Sequence, residues 1–227
     1  MDSQSSPWLV YFAAQPMARM LLTHGAGAPV QSEMLQRIAT ALSAVGIEVW
    51  ARNFAYMEKA RLGQRQPPPK VVKLQQELAA WCAEIPSDLP LLLAGKSMGG
   101  RVCTQLMAAA QAPFTQVKAV VVFGYPFRPP AKKQYALTDV ALQDRTAHLL
   151  NLRCPCLILQ GDRDAFGGPD CVTAELLADW PQLQLQWIAS ADHDFKLLKQ
   201  AKLTPVELAE QLAARTKDFI DAAILAS

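Results

Sequence analysis

The segment Gly95-Lys96-Ser97-Met98-Gly99 is a G-x-S-x-G placed between an apolar run and a helical pattern. That context predicts a strand–turn–helix elbow: the glycines allow a turn too tight for nearby Cβ atoms, and the serine hydroxyl stands at the top of a sheet. A serine hydroxyl is a weak nucleophile and needs a base to take its proton. The sequence contains three histidines, His24, His148 and His193, so an imidazole base must be one of these. In open α/β sheets with such an elbow the partners follow in the order serine, acid, histidine, which selects His193. His24 is expected to support a glycine loop, and His148 to be a partly exposed or capping residue. Asp162 and Asp164 both follow a strand end between the serine and the histidine. Asp164 is the better acid because it lies further past the strand, where the chain turns toward His193. Asp162 is expected to bind its own turn's amides, and Asp192 and Asp194 to hold the histidine loop or to be solvated. Developing negative charge would need two backbone N–H groups. Met98 supplies one at the start of its helix, and the loop His24-Gly25-Ala26-Gly27 the other, with Ala26 first and Gly27 next. Gly27, Tyr125 and Phe166 are the expected substrate contacts.

The elements that must position these groups alternate along the chain. Strands are predicted at 17–23, 47–51, 89–94, 117–123, 154–160 and 183–188, and helices at 32–45, 71–84, 101–111, 140–149, 169–179 and 204–223. Ser32 and Thr204 read as N-caps, Pro205 as a first helical residue, and Gly46 as a helix stop. Residues 52–69 read as a long connection, and 124–133 as a Pro-rich loop. The run Val117 to Phe123 (VKAVVVF) has the β-branched character of a parallel strand buried on both faces. Strand–helix alternation of this kind implies an α/β fold with a mostly parallel central sheet and helices on both faces. No composition shift marks a boundary, so one domain over 1–227 is expected.

Composition restricts the function classes. Of 227 residues, 51% are apolar and 19% charged, which is globular and not disordered. Basic residues number 22 and acidic residues 20, and so small an excess argues against a nucleic acid or an acidic membrane as partner. Five cysteines, Cys82, Cys103, Cys154, Cys156 and Cys171, show neither a disulfide framework nor metal-ligand spacing, and read as reduced thiols. The apolar run Trp8 to Ala14 lacks the basic flank of a signal peptide, and no stretch approaches membrane-span length. A cytoplasmic protein is expected, with no metal and no organic cofactor.

Beyond the triad, the segments HGAGAP (24–29), FAYM (54–57), GKSMGGR (95–101), GYPFRPP (124–130), LQGDRDAFG (159–167) and DHDFK (192–196) resemble the α/β-hydrolase superfamily. The resemblance is to a compact bacterial group of predicted hydrolases related to dienelactone hydrolases. It is also similar to a eukaryotic set that includes a subunit of a chromatin-modifying complex. It covers residues 18 to 220, and implies the α/β-hydrolase fold with little or no cap, Ser97 as nucleophile, Asp164 as acid and His193 as base. Dienelactone hydrolases use a cysteine nucleophile, so Ser97 departs from them and their substrate is not carried over. Where relatives carry a histidine in the YPF-x-PP loop, this chain has Arg128.

The expected activity is that of a carboxylesterase-like serine hydrolase, a monomer or homodimer acting on a small-molecule acyl substrate through an acyl-enzyme. A thioesterase or acyltransferase with the same triad, and a non-catalytic interaction module on the same fold, are the competing readings. Lys59, Arg61 and Arg65 on one long connection, and Lys132 and Lys133 on another, suggest a preference for acidic substrates if both loops border the site.

Overall fold

The computed structural model describes residues 6–109, 116–129 and 139–225. Among the described residues seven strands form one sheet: β1 (Leu9–Tyr11), β2 (Ala18–Thr23), β3 (Ile47–Ala51), β4 (Leu91–Lys96), β5 (Val117–Phe123), β6 (Cys156–Gly161) and β7 (Leu183–Ile188). Their order across the sheet is β1-β3-β2-β4-β5-β6-β7, with β1 antiparallel to β3 and every other pair parallel. The helices are α1 (Glu33–Ala44), α2 (Ala55–Arg61), α3 (Val71–Glu84), α4 (Met98–Ala108), α5 (Asp139–Thr146), α6 (Ala174–Ala178) and α7 (Pro205–Leu225), with a 3-10 turn at Ala147–Asn151.

The central strands are buried on both faces, as their unbroken apolar runs require. Alternation divides their side chains between two cores. Leu92, Ala94, Val121, Phe123, Leu157 and Leu159 pack with α1 and α7. Leu91, Leu93, Val120, Val122, Cys156 and Ile158 pack with α3, α4 and the 3-10 turn. The chain leaves β2 for α1 on one face and β4 for α4 on the other. The carboxyl ends of these neighbouring strands, Thr23 opposite Gly95, therefore form the topological switch point where open α/β sheets hold ligands.

Several boundaries differ from expectation. The apolar run at 8–14 contributes β1, a three-residue edge strand, and Trp8 packs edge-on against Trp50 and Trp81. The connection at 52–69 contains α2, which buries Tyr56 and Met57 and carries the Glu58–Arg61 pair on its outer side. Seven residues are too few for a helical period to declare itself. The helix expected over 169–179 shrinks to α6, because Gly167, Gly168 and Pro169 hold the preceding chain as loop and Thr173 Oγ1 caps only at the Leu176 N–H, 3.3 Å away. Ser32 occupies the N-cap of α1 but makes no side-chain cap bond. Thr204 forms a capping box on α7: its N–H donates to Glu207 Oε2 (2.7 Å), and the Glu207 N–H donates to Thr204 Oγ1 (3.2 Å). All five cysteines are free thiols, and four are buried. Among the described residues no helix is long and apolar enough to cross a membrane.

Candidate active site

The glycines of the elbow are enforced by contact. A Cβ at Gly95 would stand 2.4 Å from the Gly100 nitrogen, one at Gly99 2.5 Å from the His24 carbonyl oxygen, and one at Gly100 2.3 Å from Val122 Cγ1. Real Cβ atoms do not approach so closely, so β4, α4 and the end of β2 can meet only where these side chains are missing. Ser97 sits at the apex with φ 51° and ψ −114°, a strained conformation for a non-glycine residue. Met98 follows as the first residue of α4, where helix geometry leaves its N–H without an intrahelical partner.

The fold brings the three residues expected to work together into one hydrogen-bonded chain. His193 Nε2 is 2.9 Å from Ser97 Oγ, and its Nδ1 is 2.7 Å from Asp164 Oδ2. The Asp164 side chain is fully buried, whereas His193 keeps 17% of its side chain exposed, so of this pair it is the imidazole that faces the opening. Asp164 Oδ1 accepts the Phe166 N–H at 2.7 Å, and the Phe166 ring lies over the imidazole with centroids 4.2 Å apart. This corrects the assignment of the turn amides to Asp162, whose Oδ1 is buried and has no partner among the described residues. Asp192 holds the histidine loop as expected, its Oδ1 accepting from the N–H groups of Asp194 and Lys196, both at 2.9 Å. At Gly124, with φ +72°, a Cβ would come within 3.5 Å of His193 Nδ1, so the end of β5 passes directly beside the histidine–aspartate pair.

Gln160 was missed by sequence reasoning, although a glutamine inside the apolar strand Cys156–Gly161 was the available signal. It is fully buried. Its Nε2 donates to Asp164 Oδ2 (2.8 Å), the Gly167 carbonyl (3.0 Å) and the Tyr125 carbonyl (3.2 Å), and its Oε1 accepts the Tyr125 N–H at 2.6 Å. It thus ties the acid to both neighbouring loops. Tyr56 is a second omission: its hydroxyl lies 3.1 Å from the Ala26 carbonyl and 3.4 Å from that of Gly25, bracing the loop after β2.

The other two histidines are structural. The Phe54 N–H donates to His24 Nε2 at 3.0 Å, so the ring proton sits on Nδ1, which donates to the Gly25 carbonyl at 2.6 Å. Burial pushes the His24 pKa down to about 4, so at neutral pH the ring is uncharged with both nitrogens engaged. His148 is half-buried on the 3-10 turn, with Nε2 2.9 Å from Thr104 Oγ1, and burial and the nearby Arg101 lower its pKa to about 4.

A cleft of about 870 Å3 opens over this arrangement on the α1/α7 side of the sheet. Ala26, Gly27, Ser97, Phe166 and His193 line it, and Met34, Ile38, Leu197 and Leu203 give it apolar walls. A Cβ on Gly25 would be 3.5 Å from Ser97 Cβ, so the loop bearing Ala26 and Gly27 lies against Ser97. Tyr125 is not part of the cleft, contrary to expectation. Gln160 locks its backbone inward, its ring packs on Phe127, and its hydroxyl donates to the Arg145 carbonyl at 2.6 Å on the opposite side of the sheet. Lys59, Arg61 and Arg65 also lie off the cleft, Arg61 being paired with Glu58, while Lys132 and Lys133 lie outside the described residues. Arg128 pairs with Asp170 at 2.9 Å. Among the described residues no group of three or more His, Cys, Asp or Glu side chains is placed to hold a metal ion.

Comparison with known proteins agrees with this architecture. Residues 16–221 match the family described as an alpha/beta hydrolase domain, and the chain belongs to that family. No curated protein sequence matches it. Among solved structures it is similar to XC6422 from Xanthomonas campestris, described as an α/β serine hydrolase without lid (19% identity, TM-score 0.63, covering 92% of this chain and 87% of that one). It is also similar to a dienelactone hydrolase from Anabaena variabilis (20% identity, TM-score 0.63, 92% and 89% covered). The esterase domain of a Rhodothermus marinus protein aligns at 17% identity with TM-score 0.59, covering 93% and 92%. At these identities the likeness is one of fold.

Proposed function

We propose that the protein is a serine hydrolase that cleaves small carboxylic esters. The observation that carries this reading is the position of His193, 2.9 Å from Ser97 Oγ and 2.7 Å from Asp164 Oδ2 at the floor of an open cleft. Ser97 Oγ attacks the acyl carbon while His193 Nε2 takes the hydroxyl proton. The tetrahedral oxyanion lies toward the N–H groups of Met98 and Ala26. Collapse expels the alcohol, protonated by His193, and leaves the acyl group on Ser97. Water, deprotonated by the same imidazole, then releases the acid and restores the serine. Asp164 orients the ring and stabilises its protonated form. The cleft volume lies within the about 300–1,000 Å3 of small-molecule sites, and its apolar walls suit a short to medium acyl chain. The esterase and serine hydrolase among the similar structures support the same chemistry.

Fluorophosphonate labelling and hydrolysis of p-nitrophenyl esters of increasing acyl length test this reading. Wild type should label and turn over, and Ser97→Ala should do neither, with a loss of about 10^4-fold or more in kcat. Labelling that persists in Ser97→Ala would remove Ser97 as the nucleophile.

A further inference from the structure

The wall of the cleft beside Ser97 carries charge that the reaction above does not use. Lys96, immediately before the nucleophile, lines the cleft with only 12% of its side chain exposed. Its carboxylate neighbour is Asp194 at 3.7 Å, beyond direct hydrogen-bond distance. Asp194 is itself 63% exposed and lies 3.6 Å from a second ammonium, Lys196. Burial lowers the Lys96 pKa, while Asp194, Asp164 and Asp192 pull it back up. A mostly buried lysine whose nearest carboxylate stands at 3.7 Å keeps room for a closer anionic partner. Lys199 and Arg37 line the same cleft, and Arg37 is engaged by Glu33. Four basic residues thus face two acidic ones, Glu33 and Asp194, around an otherwise apolar trough.

Anchoring of the histidine loop does not explain Lys96. That turn is already closed by the two bonds to Asp192 Oδ1 and by the Asp192 N–H donating to the Lys196 carbonyl at 3.1 Å. We propose that the cleft takes acyl chains that end in a carboxylate, and that Lys96 is the cation that receives that carboxylate. The inference rests on the serine hydrolase reading and names its substrate class: half-esters of aliphatic dicarboxylic acids. On binding, the substrate carboxylate takes Lys96 while Asp194 stays with the solvent-exposed Lys196.

The test compares p-nitrophenyl monoesters of adipic and suberic acid with p-nitrophenyl hexanoate and octanoate, which match them in chain length. Wild type should favour the anionic esters in kcat/KM by about tenfold or more at low salt, the preference shrinking as salt screens the pair. Lys96→Met should lower kcat/KM for the anionic esters by about tenfold while the neutral esters change less than about twofold, and Lys96→Arg should restore most of the loss. Asp194→Asn removes a competing anion and should raise turnover of the anionic esters by about threefold. Were Lys96 a strut for Asp194, that variant would lose activity as Lys96→Met does, on neutral and anionic esters alike; such a parallel loss overturns the proposal, as does equal use of the two ester classes by wild type. Calorimetric titration of Ser97→Ala with adipate reads the site without turnover. Binding that disappears with Lys96→Met in the same background supports the carboxylate site, and absence of adipate binding refutes it. Failure of the hydrolase reading shows separately, as absent labelling and no turnover of any ester.

Discussion

Replacing Gln160 probes how the Ser97–His193–Asp164 geometry is held. Gln160→Leu keeps the side-chain volume and removes all four polar contacts. Asp164 Oδ2 loses one of its two donors while His193 remains, and Oδ1 keeps the Phe166 N–H. A hydrogen bond to a charged group contributes about 1.5–3 kcal/mol. If that free energy serves to orient the carboxylate, kcat should fall by about 10- to 100-fold with KM within about twofold. The Tyr125 N–H, buried and deprived of its 2.6 Å acceptor, adds a further cost of about 1–3 kcal/mol to stability. Urea denaturation should therefore show a loss of about 3–5 kcal/mol, a large part of a typical stability. Gln160→Glu guards against simple unfolding, because its carboxyl still accepts the Tyr125 N–H. Its other oxygen faces Asp164 Oδ2, and repulsion between two carboxylates at that distance raises the pKa of one of them. Protonated, the introduced carboxyl donates to Asp164 as the amide did; ionised, it repels it. The ratio of mutant to wild-type kcat should then decline as pH rises. Steady-state ester kinetics between pH 6 and 9, with circular dichroism as the folding check, read both variants. A folded Gln160→Leu with wild-type kcat, or a Gln160→Glu profile that tracks wild type, would refute the reasoning.

Two further outcomes follow from other parts of the structure. Because burial holds His24 at about 4 against an ordinary 6.5, the unfolded chain binds the extra proton between those values. Stability is then fully present above pH 6.5 and falls as pH drops toward 4, by up to about 3 kcal/mol from this residue; His24→Gln, less stable at pH 7, should show a flatter dependence of its urea midpoint on pH over that range. Gly95→Ala, with its Cβ 2.4 Å from backbone, should cost about 3 kcal/mol or more or abolish soluble expression, whereas Gly27→Ala, with no atom within 4 Å of its Cβ, should leave the melting temperature within about 2 °C of wild type.

Legibility in the sequence followed the range of the cause. The elbow could be read because its glycines and serine are five consecutive residues obeying one local steric rule. Chain order then separated His193 from His24 and His148, and distance past the strand end separated Asp164 from Asp162. Short elements escaped: β1 and α2 span three and seven residues, fewer than a period needs to show. Tyr125 was misplaced because the direction of a side chain after a strand depends on the positive φ of Gly124 and on the amide of Gln160, 35 residues away. Lys59, Arg61 and Arg65 were misplaced for a related reason: charge near a strand end in sequence can lie on either face of the sheet.

By itself the sequence determined the alternating parallel architecture, the strained serine, and the aspartate and histidine that the fold joins to it in one hydrogen-bonded chain. These follow from hydrophobic period, glycine sterics and chain order, all properties of the chain read in one dimension. Only the tertiary structure decided that Gln160 anchors Asp164, that Tyr56 braces the loop after β2, and that Lys96 and Lys196 share Asp194 at the cleft. Such contacts join side chains from separate strands and loops. Their partners are selected by sheet order and by which face each crossover takes, quantities that no local pattern encodes.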